Sequence, residues 1–298
     1  MSLSASQPLI FGEVLFDEFD DGSQILGGAP FNVAWHLKGF GLNPLFVSRI
    51  GKDEAGKQVL QAMSNWGMNC DGIQHDSKYP TGRVTIKLVD AQPEFDIRSD
   101  AAYDYISSDE LETVLSSVSP SILYHGSLAA RLKHSSQTLQ ALKAKNVPTF
   151  VDINLRDPWW NKQQVAQLVQ GVEWLKLNED ELQRLSKHQQ ATLSELAEKF
   201  QEEFRVKNLI LTRGADGAWL FSENDVIQTE PVEVFNMMDT VGAGDAFSAV
   251  CLLAIIKKWP VKTGLQRASM FASAVCEQRG ATVLDQAFYD DFIRQWRQ

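Results

Sequence analysis

PTFVDINLRDPWWNKQQVAQLVQGVEWLKLN, Pro148 to Asn178, reads as strand, helix and strand in one breath. "PTFVDIN" and "VEWLKLN" are short apolar runs, and Lys162 to Gln170 between them carries a helical pattern. The alternation continues on both sides. Upstream lie a helix near Asp109 to Val118, the strand "SILYHG" and a helix from Ser135 to Lys145; downstream lie helices between Glu179 and Phe204 and the strand "NLILT". Short apolar strands separated by helices of about ten residues are the signature of βαβ units on a parallel sheet. No repeat, low-complexity tract or linker interrupts the 298 residues, so one continuous domain is expected.

Open parallel sheets bind ligands beyond the carboxyl ends of their strands. The residues at those ends here are Gly126 and Ser127; Asp152, Asn154 and Arg156; Asn178 and Glu181; and Thr212, Arg213 and Gly214. They are expected around one shared cleft. The N-terminal texture differs. In "RVTIKLV", Val84, Ile86 and Leu88 alternate with Thr85 and Lys87, as in a strand with one wet face, and a second short strand pair fits Glu13 to Ile25. Together they suggest a small β-sheet flap over the cleft.

Composition narrows the functional classes. The formal charge of −10 argues against a broad nucleic-acid footprint and leaves an anionic ligand to local donors or a metal. The most apolar run, Ala246 to Ile256, is shorter than the roughly 20 residues of a membrane span, and "MSLSASQPLI" has no basic lead into an apolar stretch, so a cytoplasmic protein is expected. Cys70, Cys251 and Cys276 are widely spaced among apolar residues and suit buried thiols rather than a disulfide framework or a zinc site.

"GKDEAGKQ", Gly51 to Gln58, imitates a phosphate-binding loop and fails it chemically. Gln58 stands where a magnesium-binding hydroxyl belongs, and Asp53 and Glu54 would repel the phosphates. A glycine turn with Asp53 as helix N-cap is the reading. "DTVGAGDAF", Asp239 to Phe247, is different: Gly242 and Gly244 let successive N–H groups converge, and a helix starting there adds unpaired amides and its positive dipole end. The amides of Ala243, Gly244 and Asp245 can then hold a transferring phosphoryl group while the Asp245 carboxylate takes a proton from the attacking hydroxyl. On its own, an aspartate in a first helical turn equally suits a dipole-friendly cap.

Several motifs in order along nearly the whole chain resemble the ribokinase-like (PfkB) carbohydrate kinases. The resemblance implies a three-layer α/β/α sandwich with a central, mostly parallel sheet and a small β-sheet lid from segments of about 12–27 and 80–105. "DTVGAGDAF" is similar to the family's C-terminal signature, which implies Asp245 as catalytic base and Gly242, Ala243 and Gly244 at the anion hole. "GGAPFNVAWHLKGFG", Gly27 to Gly41, is similar to the N-terminal signature, implying Gly27, Gly28 and Asn32 as sugar contacts. Pro30 at a first helical position agrees, since it puts Asn32 in the first turn. "GEVLFD" resembles the family's first strand end and implies Asp17 on the sugar hydroxyls; "NEDE" resembles its N-x-x-E motif, with Asn178 and Glu181 holding Mg2+ through water. "TRGADGA" looks like the nucleotide stretch, with Thr212, Gly214 and Gly217 at ATP, although alone it suits a hairpin turn. Asp239 and the carbonyl of Val241 match the positions of a K+ ion that the family often uses.

"DINLRDPWW" resembles fructokinases and 2-keto-3-deoxygluconate kinases, implying Arg156 on phosphate or substrate and Asn154 on the transferred group. "TGRVTIKL", "AAYD" and "GEVLFD" also look fructokinase-like. The expected activity is therefore ATP-dependent phosphorylation of a small sugar, fructose at its 6-hydroxyl first. A 2-keto-3-deoxygluconate kinase, a nucleoside or riboside kinase of the same superfamily, and a catalytically silent sugar-binding protein are the alternatives. The resemblance also implies a homodimer through the lid.

Overall fold

A computed structural model describes residues 7–89, 92–187, 190–223, 225–232, 234 and 236–297. Its larger sheet is built on β1 (Gln7–Phe11), flanked on one side by β4 (Leu45–Gly51) and β5 (Ile73–Asp76). On the other side follow β8 (Pro120–His125), β9 (Thr149–Asp152), β10 (Trp174–Asn178), β11 (Asn208–Thr212), β12 (Ala218–Phe221) and β13 (Val226–Gln228). From β5 to β11 every pair is parallel, and only β12 and β13 run antiparallel at one edge. The chain leaves β1 toward β4 and returns to its other flank at β8. That reversal of strand order opens a crevice at the carboxyl ends.

Alternation in the strands explains the layers. Ile10, Ile122, Phe150 and Ile210 face one helical layer, while Leu9, Leu123, Val151 and Leu209 face the other. The first layer includes helices Ala29–Gly39, Ala243–Lys257, Val261–Cys276 and Gln286–Trp296; the second includes Lys133–Lys143, Lys162–Val169, Glu179–Leu185 and Leu193–Phe204. The expected βαβ units are all present. The segment expected as a helix near Asp109 is a 3-10 turn, Asp109–Leu111, followed by the short helix Glu112–Ser116.

A second sheet joins β3 (Gln24–Gly27), β2 (Leu15–Phe19), β6 (Gly82–Val89) and β7 (Gln92–Ile97) in that order. Leu15, Asp17, Val84 and Ile97 of this sheet line the crevice of the larger one. "GKDEAGKQ" lies elsewhere: Asp53 caps helix Glu54–Asn65 by accepting from the Gly56 N–H at 2.8 Å, and also ties down Thr81. Cys251 and Cys276 are buried thiols as expected, whereas Cys70 is only half-buried. No described helix is long and apolar enough to cross a membrane.

Candidate active site

The helix Ala243–Lys257 starts at the floor of the crevice with its N-cap, Gly242, at φ 82°. A Cβ there would stand 2.4 Å from the Ala281 methyl, so both the left-handed backbone and the close approach require glycine. The amides of Gly244 and Asp245 have no backbone partner among the described residues, as in the first turn of any helix. The Ala243 N–H donates to the Thr240 carbonyl at 3.3 Å, so this amide closes the turn instead of facing the hole expected for it.

Asp245 is almost fully buried in that first turn. Its Oδ2 accepts from the Asn32 side-chain amide at 2.8 Å, joining the two motifs across 213 residues of sequence. Burial pushes the Asp245 carboxyl up to about 7; the Asn32 hydrogen bond opposes this, the charge of Asp152 adds to it, and Lys176 and Arg156 oppose it. Asn32 sits in the first turn of helix Ala29–Gly39, which follows Gly28 at φ 110°. A Cβ on Gly27 would lie 3.8 Å from both Asn32 Oδ1 and Asp17 Oδ2, so Asp17, Gly27, Gly28 and Asn32 do converge. Burial also lifts Asp17 to about 6, with Arg156 pulling the other way.

Beneath the helix mouth lies an ion pair that sequence reasoning missed. The register of β9 and β10 sets Lys176 beside Asp152, and the buried Nζ donates to Asp152 Oδ1 at 2.7 Å. Ser248 and Tyr124 hydroxyls donate to Asp152 Oδ2 at 2.6 and 3.3 Å. A Cβ on Gly244 would be 3.4 Å from the Lys176 ammonium, so the cation lies directly under the helix mouth. The signal was present: a lysine inside the apolar run "VEWLKLN" must find a partner.

Two adjoining cavities of about 410 Å³ each meet at this helix terminus, sharing Asn178, Thr212, Thr240 and Gly244. One is polar and holds Asp17, Asn32, Asn154, Arg156, Glu181 and Asp245. The other is largely apolar, with Val232, Met237, Phe247 and Ala272, and it holds Gly214, Gly217 and Ala243. Gly126, Ser127 and Arg213 line neither; Arg213 pairs with Glu179 at 2.6 Å and lies over the Trp219 ring. In "TRGADGA", Gly214–Asp216 turns β11 into antiparallel β12, as a hairpin turn would, and the turn borders the second cavity.

Asn178 and Glu181 form a reciprocal capping box at the start of helix Glu179–Leu185. Glu181 is buried, with Oε2 accepting from the Asn178 N–H at 2.9 Å and Oε1 from the Leu155 N–H at 3.1 Å. Burial raises the Glu181 carboxyl, opposed by Lys176. Hard oxygen donors held this way suit an ion that keeps its own water. Asp239 accepts from the Val241 and Gly280 amides at 2.9 and 3.3 Å and so fastens the turn before Gly242.

The sequence matches the pfkB family of carbohydrate kinases over residues 4–287. The chain belongs to that family. An uncharacterized sugar kinase of Pyrococcus horikoshii is 27% identical to this pfkB kinase over 236 residues, 78% of this chain and 73% of that protein. Rice fructokinase-2 is 26% identical, covering 83% of this chain and 79% of its own. The crystal structure of a fructokinase from Xylella fastidiosa with bound ATP superposes at a TM-score of 0.85 over 99% of this pfkB kinase and 100% of that chain, at 19% identity. The fold is therefore that of the ribokinase-like kinases.

Proposed function

We propose that this pfkB kinase transfers the γ-phosphoryl group of ATP to a primary hydroxyl of a small sugar, D-fructose first, giving fructose 6-phosphate. The observation that carries the reading is Asp245. It is a buried carboxyl beside unpaired helix amides, bonded to Asn32, where a polar cavity meets an apolar one. The polar cavity suits a sugar and the apolar one a nucleobase, so the two substrates meet at the helix mouth.

In this reading Asp17 and Asn32 hold the sugar so that one hydroxyl faces Asp245. Asp245 takes the hydroxyl proton as the oxygen bonds to the γ-phosphorus, the bond from that phosphorus to the bridging oxygen of ADP breaks, and ADP leaves. The amides of Gly244 and Asp245, with Lys176 beneath and Arg156 at the rim, counter the charge on the transferring group. Thr212, Gly214 and Gly217 take the nucleotide, and Asn154 the transferred group. Asn178 and Glu181 would hold Mg2+ through its water, and the ion would supply charge neutralisation for the phosphates. Asp239, through the Val241 and Gly280 amides, fixes the shape of the turn before the helix.

The test is a panel of sugars and nucleosides, including D-fructose, 2-keto-3-deoxygluconate and ribosides, with ATP and magnesium, read by ADP release. Fructose is expected to give the highest kcat/KM. A nucleoside ahead of every sugar would move the protein to another branch of the superfamily, and sugar binding without turnover on any compound would make it a binding protein.

A further inference from the structure

Buried polar side-chain atoms almost always find a hydrogen-bond partner, so those that do not have a reason. Eight such atoms occur among the described residues, and the residues of two of them, Asn32 and Glu13, line the polar cavity. The atoms are Asn32 Oδ1 and Glu13 Oε2. Asn32 is already placed on the sugar. Glu13 presents the same signature: 4% exposed, one carboxyl oxygen unpaired, and on the wall of the same cavity.

The backbone explains why it faces inward. Glu13, Leu15 and Asp17 all line the cavity, while Val14 and Phe16 between them pack into the core, the alternation of an extended chain. Glu13 thus lies on the same face as Asp17. Its carbonyl oxygen also fixes Gly28, where a Cβ would come within 2.7 Å of it. Burial pushes the Glu13 carboxyl up to about 7, against the N–H groups of Glu13 and Ala129 and the charges of Arg156 and Arg131. The unpaired Oε2 gains nothing for the fold and is left for a ligand.

We propose that Glu13 is a specificity-determining sugar contact, whose Oε2 takes a hydroxyl of the sugar other than the one phosphorylated. This rests on the sugar-kinase reading above. An unpaired buried oxygen rejects a substrate that lacks the matching hydroxyl far more strongly than a missing methylene would.

The experiment is a cycle between Glu13 variants and monodeoxy sugars, using D-fructose and its 1-, 3- and 4-deoxy analogues at saturating ATP. Glu13→Ala is expected to lower kcat/KM for D-fructose about tenfold to hundredfold, with KM for ATP unchanged. For one deoxy analogue the same variant is expected to cost less than about threefold, because the hydroxyl that Glu13 would hold is already gone. Glu13→Gln preserves size and is run in parallel; should Glu13→Ala fail to fold, the glutamine variant carries the cycle and shows the same non-additivity. Equal losses on fructose and all three analogues would overturn the proposal and leave Glu13 a structural acid. A wild type inert on every sugar of the panel is a different result, which would sink the kinase reading and this contact with it.

Discussion

At the residue scale one carboxyl, Asp245, has two proposed roles, base and destabilising buried charge. Asp245 titrates near 7, so kcat/KM for the sugar is expected to rise with pH through an acid limb near that value and then level off. A pH profile flat from 5 to 8 would contradict this. The stability effect has the opposite sign. Folding raises the Asp245 pKa, so between about 4 and about 7 the native state binds more protons than the unfolded chain, and the residue's contribution to stability falls as pH rises. Asp245→Asn is therefore expected to stabilise the fold by about 1–3 kcal/mol at pH 8 and by little at pH 4, measured by urea unfolding at both. Asp245 was legible in the sequence because its glycines announce a helix mouth. Glu13 was not legible, because nothing local distinguishes a buried acid from an exposed one, whereas Lys176 is marked by the apolar run around it, although its partner is not.

At the element scale, the helix Ala243–Lys257 and β10 set the geometry of the hole. Gly242→Ala faces both a left-handed backbone and the Ala281 methyl, so a loss of about 1–3 kcal/mol in stability is expected, together with a fall in kcat as the amides shift. Lys176→Met leaves Asp152 charged and buried without its partner, at a cost of about 3–5 kcal/mol; pairing it with Asp152→Asn should recover part of that. A double-mutant cycle by chemical denaturation checks this, and strict additivity would mean the pair is not coupled. The βαβ alternation was plain in the sequence because each strand is a continuous apolar run. The short helix after Asp109 was harder, since its five residues bury no side chain and so leave no periodic face to read.

At the scale of the whole molecule, the site is assembled from segments that the chain alone cannot show to be neighbours. Asn32 and Asp245 meet only because the sheet reverses its strand order at β1, and the capping box of Asn178 and Glu181 reaches them only through the parallel register of β9 and β10. Motif order therefore conveyed which residues belong together, and tertiary structure supplied how. The small sheet has one face on the cleft, and the family resemblance implies a second copy of the chain paired through this sheet. Sedimentation at micromolar concentration is expected to give a dimer, and a monomer throughout would remove that part of the account. The most direct test of the central claim is turnover of D-fructose with ATP and magnesium by wild type and by folded Asp245→Asn. Wild type is expected to be active and the variant to lose about 10²–10⁴-fold in kcat with sugar binding retained; near-wild-type turnover by the variant would mean that Asp245 is not the base.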